Sequence, residues 1–219
     1  MMKLISINLG QERRIQGKKR SWKSGIYKFP VQTPVRVNSS GFSDDVICDQ
    51  KNHGGLDQAL YIYGAPDYAW WSSALDQQVS PGTFGENLTI DGLESARFHI
   101  GDRLVAGTVT LEVTAPRIPC NTLATRMGNP LFVKHFRLAE RPGLYCRVIQ
   151  EGWIQKGDLV RLEPYPGRTI SVVEMFRDYY DPEPDEATLR RYLAAPISAR
   201  SRVDKEEQLR KLVAARDGD

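Results

Sequence analysis

The chain of 219 residues is poor in the side chains that most often announce a function. It has three cysteines, Cys48, Cys120 and Cys146, and three histidines. An odd cysteine count without close pairing builds no disulfide framework, and no export signal is visible, so the reducing cytosol is the expected compartment. No C-x-x-C occurs, and His53, His99 and His135 stand apart, which argues against a zinc site. No run approaches the roughly 18 apolar residues of a membrane helix. Residues 1–10 lack the apolar core and cleavage site of a secretory signal. Walker A, G-x-G-x-x-G, G-x-S-x-G and H-E-x-x-H motifs are all missing. That weakens nucleotide-kinase, nicotinamide-dehydrogenase, serine-hydrolase and zincin readings. An excess of charge is missing too. Lys and Arg number 30 against 27 Asp and Glu, and a net charge of +3 does not argue for stable nucleic-acid binding.

What the chain does have, over residues 1–165, is short strand-like runs broken by Gly and Pro. The expected strands are 3–9, 25–31, 34–38, 59–63, 86–90, 103–106, 109–114, 144–150 and 158–163. Ile100-Gly-Asp102 and Lys156-Gly-Asp158 each place turn chemistry just before a strand. Such a pattern predicts a closed or nearly closed barrel. Short helices interrupt it over 66–75, just after Cys120, and near 130–138. Beyond Pro164-Tyr-Pro-Gly167 the pattern becomes helical. Ser171-Val-Val-Glu174 is a capping box, Asp185 suits a helix start, and Asp204-Lys-Glu-Glu207 reads as another box. The expectation is a mainly β protein: a barrel domain at 1–165 and a small three-helix domain at 168–219 docked on it.

Three segments carry residues suited to chemistry. Cys120 follows Pro116-Arg-Ile-Pro119 and precedes a helix start. The positive end of that helix and the charge of Arg117 favour thiolate over thiol. A small buried core cysteine is the alternative for the same residue. His53 stands before Gly54-Gly55, on a bend that brings backbone close to a ligand; a turn histidine bonding its own loop is the alternative. In Phe84-Gly-Glu-Asn-Leu88, Gly85 leaves room for close approach and Asn87 offers a donor and an acceptor. Lys18-Lys-Arg20, Lys23 and Lys28 form a basic segment that could receive a phosphate or simply face solvent.

Taken in order, Ser24-Gly-Ile-Tyr-Lys-Phe-Pro30, His53-Gly-Gly55, Phe84-Gly-Glu-Asn-Leu88, Ile100-Gly-Asp102 and Pro116-Arg-Ile-Pro-Cys120 resemble the MOSC domain, the C-terminal domain type of molybdenum-cofactor sulfurases. The resemblance is closest to the YiiM-type branch, whose barrel is followed by three helices. It implies a MOSC-type β-barrel and a molybdenum cofactor (molybdopterin). It implies Cys120 as molybdenum ligand. Lys28 and Arg117 would lie on the anionic pterin phosphate or dithiolene, and Asn87 and His53 on cofactor or substrate. His53 would also deliver a proton to the departing hydroxyl. The implied activity is reduction of N-hydroxylated small molecules, including hydroxylamino base analogues, with electrons from a separate reductase. A sulfur-transfer protein with a persulfide on Cys120, or a cofactor carrier without turnover, are the alternatives. A homodimer is left open. The sequence departs from the family pattern G-L-x-G-D at Gly41-Phe-Ser-Asp-Asp45, where Asp44 replaces a glycine. An aspartate takes a left-handed turn only at a cost, so a locally different loop is expected around Asp45.

Overall fold

The computed structural model describes residues 1–17, 20–181 and 185–217, so the basic pair Lys18-Lys19 lies outside the described residues. The strands are β1 (Met2–Gly10), β2 (Arg13–Gln16), β3 (Ser21–Ser24), β4 (Lys28–Val31), β5 (Val35–Asn38), β6 (Gly41–Phe42), β7 (Leu60–Gly64), β8 (Leu88–Asp91), β9 (Arg103–Ala106), β10 (Val109–Pro116), β11 (Leu144–Gln150), β12 (Gly152–Ile154) and β13 (Leu159–Glu163). Seven of them close on themselves in the order β13-β9-β10-β11-β7-β8-β1, with β1 returning to pair β13. Only β7 and β8 run parallel within this barrel. Closure removes the open sheet edges that would otherwise invite pairing between chains. β4 adds to one end of β1, β12-β5-β6 form a small second sheet, and β2-β3 form a hairpin.

The two Gly-Asp turns share one geometry. Gly101 and Gly157 both have positive φ, +92° and +100°, a conformation that favours glycine. Asp102 accepts from the His99 N–H and Asp158 from the Gln155 N–H, each at 2.9 Å, so each carboxylate closes its own bend. The barrel strands expected from sequence recur with shifts of one or two residues. The expected strand at 25–31 begins only at Lys28, and the short β2, β3, β6 and β12 were not foreseen.

The helices are α1 (Gln50–His53), α2 (Ala65–Ala74), α3 (Asn121–Arg126), α4 (Phe132–Ala139), α5 (Val172–Tyr180), α6 (Glu186–Ala194) and α7 (Ala199–Asp217), with a 3-10 turn at Leu56–Gln58. Ser171 accepts from the Glu174 N–H, and Asp185 from the Thr188 N–H, so both expected helix starts are capped. Asp204-Lys-Glu-Glu207 is not a start: it lies inside α7, which begins after Ser198, whose Oγ accepts from the Ser201 N–H at 3.2 Å. None of the helices is long and apolar enough to cross a membrane, among the described residues.

All five residues of β7 are buried, because the barrel covers one face and the helices the other. Trp71, Phe84, Phe132 and Phe136 cluster on the helix side, and Phe136 meets Phe176 of α5 with centroids 6.3 Å apart. One apolar core therefore runs from Leu4 and Val113 in the barrel to Val172 and Phe176 in the helices. Arg147 of β11 donates to the carbonyls of Pro196 and Ile197, and the Ala199 N–H donates to Asp57 at 2.6 Å. These bonds fasten the α6–α7 junction beside the turn that follows His53.

Candidate functional site

A single helical turn sets His53. Asp49 starts it by accepting from the Asn52 N–H at 3.1 Å, and His53 ends it. The Tyr145 hydroxyl lies 3.2 Å from His53 Nδ1. Cys120 takes the N-cap position of α3, after Pro119 has kept Ile118 extended. Arg117 leaves the end of β10 and turns inward. It donates to the Phe84 carbonyl and lays its guanidinium 4.9 Å from the centroid of the Tyr61 ring.

Lys28 opens β4 and is buried against Asp45, with which it pairs. Asp45 is the hub of this corner: it also accepts from Asn87 Nδ2 and from the Gly10 N–H, each at 2.8 Å. Asn87 Oδ1 accepts from the Tyr61 N–H at 3.1 Å. Asp44 is exposed and is not among the residues with positive φ, so the loop delivers Asp45 without a left-handed turn at Asp44.

Lys28, His53, Asn87, Arg117 and Cys120 line one cavity of about 120 Å³. Arg117 is buried at 4% exposure, and sends its charge into the cavity from the wall. Gln58, Tyr61 and Tyr145 line it too, and the sequence reading did not single them out for the site. Tyr145 sits in a strand-like Leu-Tyr-Cys run that signals only packing. It reaches the site through the pairing of β11 with β10, which sets it opposite Ala115. Nothing local to Gln58 announces it.

The electrostatics single out one thiol. Burial raises Cys120, but the hydrogen bond from His53 and the charges of Arg117 and His53 outweigh it, lowering the thiol from 9.0 to about 6. Burial raises Cys48, and raises the fully buried Cys146 much further. Cys120 alone is thus a thiolate at neutral pH. Burial also pulls Lys28 below its ordinary value, against the pull of Asp45. Two buried polar atoms on the cavity wall have no partner among the described residues: Arg117 Nε, a donor, and Gln58 Oε1, an acceptor. Each is costly to leave unmet.

The family model of the MOSC domain matches residues 49–161, the stretch that carries His53, Asn87, Arg117 and Cys120. The chain is 32% identical to YflK of Bacillus subtilis over 169 residues, covering 77% of this chain and 76% of that one. It is 33% identical over 157 residues to a Gibberella moniliformis protein named Reductase, covering 69% of this chain but only 28% of that longer protein. The crystal structure of YiiM from Geobacillus stearothermophilus matches with a TM-score of 0.78 and 28% identity, over 95% of this chain and 100% of that one. The chain belongs to the MOSC domain family, in its YiiM-like group.

Proposed function

We propose that the protein is a molybdenum-cofactor-dependent reductase of N-hydroxylated compounds. The observation that carries this reading is the Cys120 thiolate, held between His53 and Arg117 in one cavity. A thiolate is a soft donor suited to a metal that other sulfur ligands also hold. Three cations, Lys23, Lys28 and Arg117, line the cavity against one carboxylate, Asp49, and Arg117 Nε is unmet. That donor set fits an anionic cofactor. At about 120 Å³ the cavity encloses a headgroup rather than a whole pterin, so a cofactor held there extends past the mouth.

In this reading Cys120 ligates molybdenum, and Arg117 and Lys28 hold the anionic part of the cofactor. Asn87 has both ends of its amide committed to Tyr61 and Asp45, so its part is to fix the Asp45–Lys28 pair. The cofactor supplies two-electron redox chemistry, and the protein supplies binding, orientation and field. The overall change converts R–NHOH, two electrons and two protons into R–NH2 and water, with the N–O bond broken. The electrons come from a separate reductase. His53, steadied by Tyr145, delivers a proton to the leaving hydroxyl. The name of the fungal relative supports a redox role.

The same low thiol favours a second reading, in which Cys120 carries a persulfide for sulfur transfer. Metal and pterin analysis of freshly purified protein separates the two. Molybdenum and pterin in equal amounts, with molybdenum lost in Cys120→Ser, is the expected result. Protein from cofactor-producing cells that lacks both, yet releases thiocyanate with cyanide, would replace the reductase by the sulfur carrier.

A further inference from the structure

Cys120 stands on a wall shared by two cavities. His53, Gln58 and Tyr145 also face both the inner cavity and a second, outer groove of about 800 Å³. The far side of that groove is built by the C-terminal helices, through Met175 and Tyr179 of α5 and Val203 of α7. Its size suits an organic molecule of drug or nucleoside dimensions.

The two cavities differ in the charge they offer. The inner one has an excess of cations. The outer groove has the opposite balance: four carboxylates, Asp49, Asp178, Asp204 and Glu207, line it against Arg200, Lys205 and Lys211. An anion entering the groove would lose water to meet an excess of carboxylates, which is unfavourable. A neutral ligand meets no such cost. Two features invite one. Tyr179 keeps 60% of its surface open on the groove wall, so its ring gains contact when a flat ligand covers it. Gln58 Oε1 is buried, lacks a donor, and lies on the stretch of wall that Cys120 shares.

We propose that this outer groove binds the compound to be reduced, with Tyr179 against its flat face and Gln58 accepting from its N–H. The C-terminal helices then select neutral or cationic N-hydroxylated compounds over anionic ones. The proposal rests on the reductase reading for the identity of the ligand. It assigns the helices after residue 171 a role in substrate choice beyond covering the barrel.

The test uses the full chain and a matched pair of probes, benzamidoxime and its 4-carboxy derivative, which is an anion at neutral pH. Dissociation constants are measured by calorimetry on cofactor-free and cofactor-loaded protein, and turnover is followed separately with an artificial electron donor. Benzamidoxime should bind roughly tenfold or more tightly than the carboxylate in both forms of the protein. Tyr179→Ala should weaken its binding roughly tenfold, while Tyr179→Phe, which keeps the ring, should restore it. Gln58→Leu should weaken it roughly fivefold or more. Because Tyr179 is exposed, its variants test the proposal even if Gln58→Leu folds poorly. Equal binding of the two probes, or unchanged binding in Tyr179→Ala, overturns the groove assignment. So does binding that disappears on cofactor loading, because the cofactor then fills the groove. The expected binding pattern without any turnover would leave the groove assignment standing and remove the reductase reading. Turnover that ignores both the carboxylate and Tyr179→Ala would do the reverse.

Discussion

Removing the His53 side chain should make Cys120 a poorer nucleophile without unfolding the protein. Burial alone would raise the thiol, yet it sits near 6 instead of 9.0 because the His53 hydrogen bond leads the opposing effects, ahead of the charges of Arg117 and His53. A partner of this kind at close range shifts a titration by about 1–3 units. His53→Ala should therefore move the thiol to roughly 7–9. At pH 7 a thiol at about 6 is ~90% thiolate, and one at about 8 is ~10% thiolate. The assay is alkylation of cofactor-free protein by iodoacetamide across pH 4–10, with the modified residue identified by mass spectrometry. Wild type should show a reactive midpoint near 6 at Cys120, with Cys48 and Cys146 unreactive there. His53→Ala should react about twofold to a hundredfold more slowly at pH 7. His53 has modest structural duties, a turn end and one contact to Tyr145, so the fold should survive. A wild-type midpoint near 9, or a profile unchanged in His53→Ala, would refute the electrostatic reasoning.

Other consequences follow from the same contacts. A thiol whose folded value is depressed adds stability that is complete above its unfolded value near 9.0 and is lost as pH falls through about 6. The stability deficit of cofactor-free Cys120→Ser, measured by urea unfolding, should thus shrink between pH 9 and pH 5; a deficit constant with pH would contradict this. Asp45→Ala leaves buried Lys28 without its partner and strips acceptors from Asn87 and the Gly10 N–H, so it should cost about 3–5 kcal/mol in the same assay. Phe176→Ala opens a hole where α5 meets Phe136, and should cost about 3–5 kcal/mol with a single unfolding transition, because core and helices are continuous. Two separate transitions would show that the helices unfold independently of the barrel.

The parts of this protein legible in its sequence are those whose cause is local. Gly101-Asp102 and Gly157-Asp158 close their own bends, so their turns announce the strands that follow. Ser171 and Asp185 cap within three residues, so α5 and α6 begin where expected. Cys120 was legible for the same reason, since the proline turn and helix start lie beside it. α7 was misplaced because Ser198 has no acidic residue at the reciprocal capping-box position, whereas Asp204 and Glu207 imitate such a box in mid-helix. The hairpin of β2 and β3 was missed because Arg13, Arg14 and Lys23 look like solvated loop rather than strand. The chemistry of the site was legible only in outline. His53 was singled out as a candidate, but its hold on the Cys120 thiol depends on how the chain folds. Gln58 and Tyr145 depend on strand register and on a turn with no distinguishing composition, and register is a property of the whole barrel. Asp45 lay in the segment that departs from the family pattern, and only the folded loop reveals it as the partner of Lys28.

The central claim is that Cys120 is the residue on which reduction depends. Reduction of an N-hydroxylated purine by cofactor-loaded wild type and by Cys48→Ser, Cys120→Ser and Cys146→Ser, with an artificial electron donor, tests it most directly. Circular dichroism establishes that each variant is folded. The account predicts activity in wild type, little change in Cys48→Ser and Cys146→Ser, and none in a folded Cys120→Ser. Full activity in Cys120→Ser would contradict it.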